Sequence, residues 1–400
     1  MRALITGSWV TLERVRVYSW ILIVFWVLGI AGLIATATPD LLDFKGRPLG
    51  SDFSNVWSAG ALALDGLGAQ AYDWPSHYAV QKEMFNDPEV PYFGWHYPPF
   101  FLLIASLLAT LPYMWALVVW LGVTFPLYLV AIRAIVPFKL TTLTAIAFPA
   151  VAVNVIHGQN GFLSAGLFGL GVLQLDRRPW LAGVLLGLLA YKPQYGVLIP
   201  LVLAATGRWR TFGGATATVA VLVGLSTVVL GADIWLAFLD STKLTREVVL
   251  EAGALAWHKQ QSIFAAMRLL DLGAGLAYTA QGLLGASVVV GTLWLWRRPV
   301  DMALKSAGLV TGALLVTPYV LDYDLTILAL SIAWMVSHGQ KQGFLKWEKT
   351  ILVAVWVMPL LSRISSLAIK FPLGLVAMVT LFCLVLVHAR RDEERQALTD

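Results

Sequence analysis

The stretch YPPFFLLIASLLAT (Tyr97–Thr110) decides how this chain is threaded. It is apolar almost throughout, but its 14 residues fall short of the roughly 20 a helix needs to cross a hydrocarbon core. Counted as a crossing, it inverts every loop that follows. Left uncounted, it is a juxtamembrane or half-inserted helix on the outer side. The basic residues choose between the two. They cluster between apolar runs at Arg14/Arg16, Arg133/Lys139, Arg177/Arg178, Arg208/Arg210, Arg297/Arg298, Lys341/Lys346/Lys349 and Arg390/Arg391/Arg395. Positively charged loops stay cytoplasmic, so neighbouring clusters enclose an even number of crossings, and with 97–110 left out the count is about twelve. The predicted spans are 17–37, 113–135, 140–157, 160–176, 179–193, 195–206, 211–230, 275–296, 301–318, 323–338, 350–367 and 372–389, with both termini inside.

The composition agrees with an all-α polytopic membrane protein. Of 400 residues, 58% are hydrophobic and 13% charged, against about 25% charged in soluble proteins. Mean hydropathy is +0.75. The net charge of +5 reads as topology markers, not as a nucleic-acid surface. The one cysteine, Cys383, excludes an intrachain disulfide and a cysteine metal cluster. The apolar core of Val17–Ala37 is about 20 residues long, beyond the 7–15 of a signal peptide, so it reads as an uncleaved first span. The whole chain, 1–400, forms one transmembrane domain. It comprises the span 17–37, a large outer loop 38–112 with juxtamembrane helices, spans over 113–230, a second outer loop 231–261, spans over 262–390, and a cytoplasmic tail 391–400. Pro149, Pro193, Pro200 and Pro318 fall where breaks beside a protein-lined cavity are tolerated.

This threading places every polar, motif-like stretch on the outer face. In GSDFSNVWSAGALALDG (Gly50–Gly66), Asp52 precedes an amphipathic helical stretch and is either a helix N-cap or a functional carboxylate. Asp65 reads as a turn residue. HGQNG (His157–Gly161) makes a tight turn, and His157, Gln159 and Asn160 can bond sugar hydroxyls or one another. AYKPQYG (Ala190–Gly196) puts Lys192 at a span end beside a proline break, with Gln194 next to it. The lysine either snorkels or faces an anion such as phosphate. TPYVLDYDL carries Asp322, Tyr323 and Asp324, two acids that cannot share one helix face. HKQQSIFAAMR offers His258, Lys259, Gln260, Gln261 and Arg268, the polar end of a loop dipping back toward the membrane. Tryptophans fit interfacial belts, while Trp57, Trp95 and Trp257 are candidates for stacking on sugar faces. No HExxH, paired cysteine or nucleotide-binding glycine loop is present. The D-Y-D at 322–324 lies on the face where nucleotide sugars are absent. No metal or other cofactor is expected.

The layout resembles the GT-C glycosyltransferases, polytopic enzymes that use a lipid-phosphate-linked sugar and carry an essential Asp in the first large outer loop. More narrowly, SDFSNVWSAGALAL followed by AYD, then YPPFF, GQNGFLSAGL, YKPQ and QSIFAAMR, in that order over about residues 50 to 330, is similar to glycosyltransferase family 87. That family, formerly DUF2029, comprises polyprenol-phosphate-mannose-dependent α-mannosyltransferases. The resemblance implies an inverting transfer of a hexose, mannose in the family, from a polyprenyl-phosphate donor to a lipid or glycan acceptor. It also implies a periplasmic-facing site in a bacterial inner membrane. Asp52 is then the general base. Lys192, His258, Lys259 and Arg268 are expected around the donor phosphate. His157, Gln159, Asn160, Gln194, Gln261, Asp322, Tyr323, Asp324, Trp57 and His96 are expected around sugar and acceptor. Actinobacterial members resemble S-P-x-S-W-x-H-H-W where this chain has TPYVLDYDL, so Tyr323 and Asp324 stand in the family's histidine region. A glycosyl phosphate already has a good leaving group, so one base, one cation and a wall of hydrogen-bonding groups suffice. Desolvation beside Trp57 and Trp95 is expected to raise the Asp52 pKa, with a nearby cation opposing it. The alternative is a transporter or lipid-linked sugar flippase, prompted by the span count and proline-broken helices, although the two halves show no self-similarity.

Overall fold

The computed structural model describes every residue except Leu255 and residues 398–400. It is helical throughout, and among the described residues the only β pairings are two isolated bridges, Leu42–Pro48 and Gln260–Leu321. A short α1 (Arg2–Thr6) precedes the first long helix, α2 (Leu12–Ala35), capped by the Thr11 hydroxyl. The outer segment then forms α3 (Phe53–Leu64), α4 (Trp74–Met84) and α5 (Pro99–Ala109). Next come α6 (Tyr113–Ile135), α7 (Thr141–Ile146), α8 (Pro149–His157), α9 (Gly161–Leu173), α10 (Pro179–Leu188), α11 (Leu198–Ala205) and α12 (Trp209–Leu230). The chain finishes with α13 (Asp233–Leu244), α14 (Ile263–Leu269), α15 (Ala274–Arg297), α16 (Met302–Val316), α17 (Leu328–Gln342), α18 (Glu348–Ile369) and α19 (Leu373–Ala397).

Among the described residues, six helices are long and apolar enough to cross a membrane: α2, α6, α12, α15, α18 and α19. The protein is therefore a polytopic helical membrane protein, but the expected count of twelve is not what the helix lengths give. The span expected over 140–157 is broken ahead of Pro149 into α7 and α8. Those expected over 160–176, 179–193 and 195–206 are helices of 13, 10 and 8 residues. The two expected over 301–318 and 323–338 give α16 and α17, of 15 residues each, with a 3-10 turn Asp322–Ile327 before α17. At 1.5 Å per residue such helices reach about 12–23 Å, short of a core about 30 Å thick. Prolines lacking an amide hydrogen and the unwound turns beside them end these runs early, which is tolerable only where protein surrounds the backbone. Burial agrees: α16 and α17 are enclosed almost all round. The long helices instead expose apolar side chains, such as Phe25 and Leu28 on α2 and Val221 and Val228 on α12, 84% exposed in the last case. α19 runs on past the end of the expected last span to Ala397.

The segment 97–110 is the 11-residue α5, about 16 Å long. Both its ends meet residues of the first outer loop or its close neighbours. Tyr72 Oη donates to the Tyr97 carbonyl at 2.9 Å, and Trp57 Nε1 donates to the Leu111 carbonyl at 2.9 Å. Gly60 lets α3 lie directly on α5, because a Cβ there would collide with the Ala105 carbonyl. The expected loop 231–261 is largely helical, with α13 followed by a π-helical turn Thr245–Glu251. α13 packs onto this layer through Phe238 against Tyr72 and Trp235 against Phe100.

The basic clusters gather at the opposite end of the bundle. Arg208 pairs with Asp176 at 2.6 Å, Arg298 with Glu393 at 3.0 Å, and Trp9 Nε1 donates to Thr350 Oγ1 at 2.8 Å. His338 Nδ1 lies 2.9 Å from Asp301 Oδ2, and His388 Nε2 lies 2.9 Å from Glu348 Oε1.

Candidate functional site

Two glycines bring the first outer loop onto the α8–α9 turn. Gly50 and Gly158 both have left-handed backbones, with φ of 66° and 60°. A Cβ on Gly158 would sit 2.7 Å from Phe53 Cβ, and one on Gly50 would sit 2.6 Å from the Leu117 side chain. Only glycine accepts both the φ and the approach. Tyr113 Oη ties the same turn by donating to the Leu49 carbonyl at 2.6 Å.

Asp52 occupies the N-cap position of α3 but caps no first-turn amide. Its Oδ2 lies 3.0 Å from His157 Nδ1 and its side chain remains 18% exposed. His157 Nδ1 also lies 2.7 Å from Ser51 Oγ. On the far side of the ring, Arg363 Nη2 approaches His157 Nε2 at 3.2 Å. A guanidinium has no acceptor, so Nε2 must accept and Nδ1 must carry the ring hydrogen. That hydrogen is directed at Asp52 and Ser51. Arg363 is held in turn by Asp322, with Nε 2.7 Å and Nη2 2.6 Å from Oδ2. The Asp322 Oδ1 accepts the Tyr323 amide at 3.0 Å. A continuous relay thus runs from Asp52 through His157 and Arg363 to Asp322.

Burial pushes the Asp52 carboxyl up, but the hydrogen bond from His157, the Lys259 ammonium and a hydrogen bond from Gln159 outweigh it. The net position is below the usual carboxylate range, so the expected rise is corrected. The cause is a specific partner that favours the charged form.

The HGQNG residues are partly occupied with one another. Gln159 Oε1 accepts the Asn160 amide at 3.2 Å, and Asn160 Nδ2 donates to Tyr97 Oη at 2.7 Å. Asn154 braces the turn by donating to the Gln159 carbonyl at 2.9 Å and accepting the Gly161 amide at 2.8 Å. Asn160 Oδ1 is buried without a partner.

The expected phosphate-binding set is dispersed. Lys192 is sealed, its Nζ 2.6 Å from Asp324 Oδ1 with side chains 6% and 1% exposed. Its ammonium also lies 5.4 Å from the Tyr323 ring and 5.6 Å from the Tyr195 ring. Asp324 Oδ2 accepts the Leu321 amide at 3.0 Å. Arg268 donates to the Leu272 and Glu251 carbonyls and stacks over Trp257 at 4.6 Å, so its guanidinium is spent on bracing the second outer loop. His258 and Lys259 do join the site. Burial, with the charges of Lys259 and Arg363, lowers the His258 pKa, while Asp322 opposes the shift.

Of the remaining candidates, Gln261 is buried and accepts the Gly374 amide at 3.1 Å, joining the loop to α19. Gln194 is half-buried in the turn Pro193–Tyr195. Trp57 spends its N–H on Leu111 and packs edge-on to Tyr113. Trp95 is 1% exposed and stacks on Phe101, and His96 Nδ1 pairs with Thr245 Oγ1 at 3.0 Å. None of these three presents a free face beside Asp52.

Ser51, Tyr97, Asn154 and above all Arg363 are the residues that the sequence reading passed over. Arg363 had a signal: it is the one ionisable residue between Thr350 and Lys370, and a charge inside a span marks function by default.

A family model described as Glycosyltransferase family 87 matches residues 95–318, more than half of the chain. The matched stretch includes His157, Gln159, Lys192 and Lys259, while Asp52, Asp322, Asp324 and Arg363 lie outside it. No curated protein and no solved structure matches.

Proposed function

The chain belongs to glycosyltransferase family 87 and is a glycosyltransferase in the membrane; from that premise we propose that it is a GT-C-type inverting enzyme. In this reading it moves a hexose, mannose by family analogy, from a polyprenyl-phosphate donor to a lipid or glycan acceptor at the periplasmic face of a bacterial inner membrane. The observation that carries the proposal is the Asp52–His157 pair at 3.0 Å, with Asp52 still partly open.

In the reaction, the acceptor hydroxyl oxygen attacks the anomeric carbon and forms the new glycosidic bond. The bond from that carbon to the phosphate oxygen breaks, its electrons leave with the polyprenyl phosphate, and the acceptor proton passes to Asp52. Held below the usual range, Asp52 is charged at neutral pH, and His157 Nδ1–H keeps it oriented. The incoming phosphate brings negative charge that raises Asp52 as the donor binds, improving it as a base when it is needed. Gln159 and the Asn160 Oδ1 supply hydrogen-bonding groups at the same turn.

The test is donor turnover by purified protein with polyprenyl-phosphate-mannose and a lipid extract of its own membrane. Wild type is expected to consume donor and form a glycosylated product. Asp52→Asn is expected to lose about 10²–10⁴-fold in rate. Undiminished turnover in Asp52→Asn removes it as the base. Turnover only with another polyprenyl-phosphate hexose keeps the mechanism and replaces the sugar. No turnover with any donor favours transport of a lipid-linked sugar.

A further inference from the structure

We propose that Arg363, and not Lys192, receives the phosphate of a lipid phosphate, in a cleft between α2, the 43–51 turn, α8 and α18. The inference rests on the lipid-linked donor of the preceding reading. The cleft encloses about 130 Å³, roughly the volume of four waters, which admits a phosphate group. Its polar lining is Ser51, His157, Arg363 and the Asp43–Arg47 pair, joined at 2.8 Å, and its apolar lining includes Leu33, Val153 and Ile156.

Between Arg363 and Lys192, geometry selects Arg363. Its Nε and Nη2 are taken by Asp322 and His157. Its Nη1 has no partner among the described residues, and the side chain is 32% exposed. The guanidinium therefore keeps its Nη1 hydrogens for an oxyanion while Nε and Nη2 are locked in place. Lys192 offers no such donor, since its ammonium is enclosed by Asp324 and two tyrosine rings. A phosphate reaching it would have to displace a buried carboxylate. The lipid side is also provided. α2 presents Leu28 and Ile34, 67% and 55% exposed, to its surroundings, so an aliphatic tail can lie along that helix while its head group enters beside Leu33. The phosphate then rests one imidazole away from Asp52, with the Lys259 charge reaching Asp52 from the turn Trp257–Lys259.

The test compares two neutral-pair variants that change net charge equally: Asp322→Asn with Arg363→Met, and Lys192→Met with Asp324→Asn. Binding of a radiolabelled polyprenyl phosphate in detergent micelles is measured for each. The Arg363 pair is expected to weaken binding at least tenfold, and the Lys192 pair by less than about twofold. Equal binding by wild type and the Arg363 pair, or a loss confined to the Lys192 pair, overturns the assignment. If the Arg363 pair does not fold, Arg363→Lys is used; a loss of several-fold supports the Arg363 contact, and unchanged binding overturns it. Inorganic phosphate and uncharged polyprenol serve as competitors. Weak displacement by both is expected, whereas displacement by either as effectively as by the lipid phosphate overturns the lipid-phosphate assignment. The titration is independent of turnover. Arg363-dependent binding without turnover of any donor leaves this inference standing and removes the proposed function. Turnover with an unaltered donor KM in the Arg363 pair does the reverse.

Discussion

Asp52 stands where a helix cap would stand and bonds none of the amides a cap would bond. Its carboxylate is turned to His157, and that choice sets its pH behaviour. With its folded pKa below the ordinary value of 3.8, the stability it contributes is present above that value and is lost only as pH falls through the folded one. A profile of kcat/KM against pH should accordingly show no acidic limb from Asp52 above about pH 4. A limb near pH 6 that disappears in Asp52→Asn would contradict this. His77 behaves in the opposite chemical sense with the same sign in pH. Buried on α4, it donates from Nε2 to the Asn55 carbonyl at 3.0 Å and receives Tyr92 Oη at 3.3 Å on Nδ1. Burial pushes its pKa from 6.5 down to about 4. The unfolded imidazole takes up a proton that the folded one refuses, so stability drops as pH falls from about 6.5 to about 4. Protection factors for hydrogen exchange over residues 68–96 should fall across that window, and His77→Asn should flatten the dependence.

At the scale of elements, the site is made where short helices end. The α8–α9 turn depends on Gly158, whose left-handed φ costs any other residue about 1–2 kcal/mol before the contact with Phe53 is counted. Gly158→Ala is expected to lower thermal stability in detergent and to depress turnover, because it pushes His157 and Asp52 apart. A normal rate in a destabilised variant would separate the two effects and sink the second. The 3-10 turn before α17 is anchored to the α10–α11 link by Lys192 and Asp324. Lys192→Met alone strands a buried carboxylate, a loss of about 3–5 kcal/mol, and adding Asp324→Asn should recover most of it. Thermal unfolding of the single and double variants checks the order. The apolar runs themselves were legible one by one, since each predicted span coincides with helix. Their lengths were not, because hydropathy reports an apolar environment without distinguishing lipid from protein.

For the whole molecule, the polar motifs and the basic clusters lie at opposite ends, and the long helices expose their apolar sides between. A cysteine scan in a Cys383→Ser background tests which end faces out. Gln70→Cys, exposed beside the outer helices, should react with an impermeant maleimide in intact cells. Arg298→Cys, half-exposed at the other end, should react only after permeabilisation. The reverse pattern would place the site in the cytoplasm and remove the periplasmic reading. Gln159 and Lys192 are 5% exposed each, so reporters there would disturb the site they are meant to locate.

Composition and the spacing of apolar runs were enough to determine a helical membrane protein. The order of short motifs was enough to place it among family 87 glycosyltransferases. Asp52, His157 and Gln159 were legible because polar groups at the ends of apolar runs are costly and therefore conspicuous. What only the tertiary structure decided is the pairing of charges. Arg363 meets His157 across 206 positions of sequence, and Lys192 meets Asp324 across 132. From the sequence, either cation could serve either acid. Folding gives Lys192 to Asp324 and buries both, leaving Arg363 at the open cleft, and it sets the Asp52 carboxyl below its ordinary range. Coulomb and hydrogen-bond energies depend on separation in space and on the surrounding medium, and neither is written in the order of the residues.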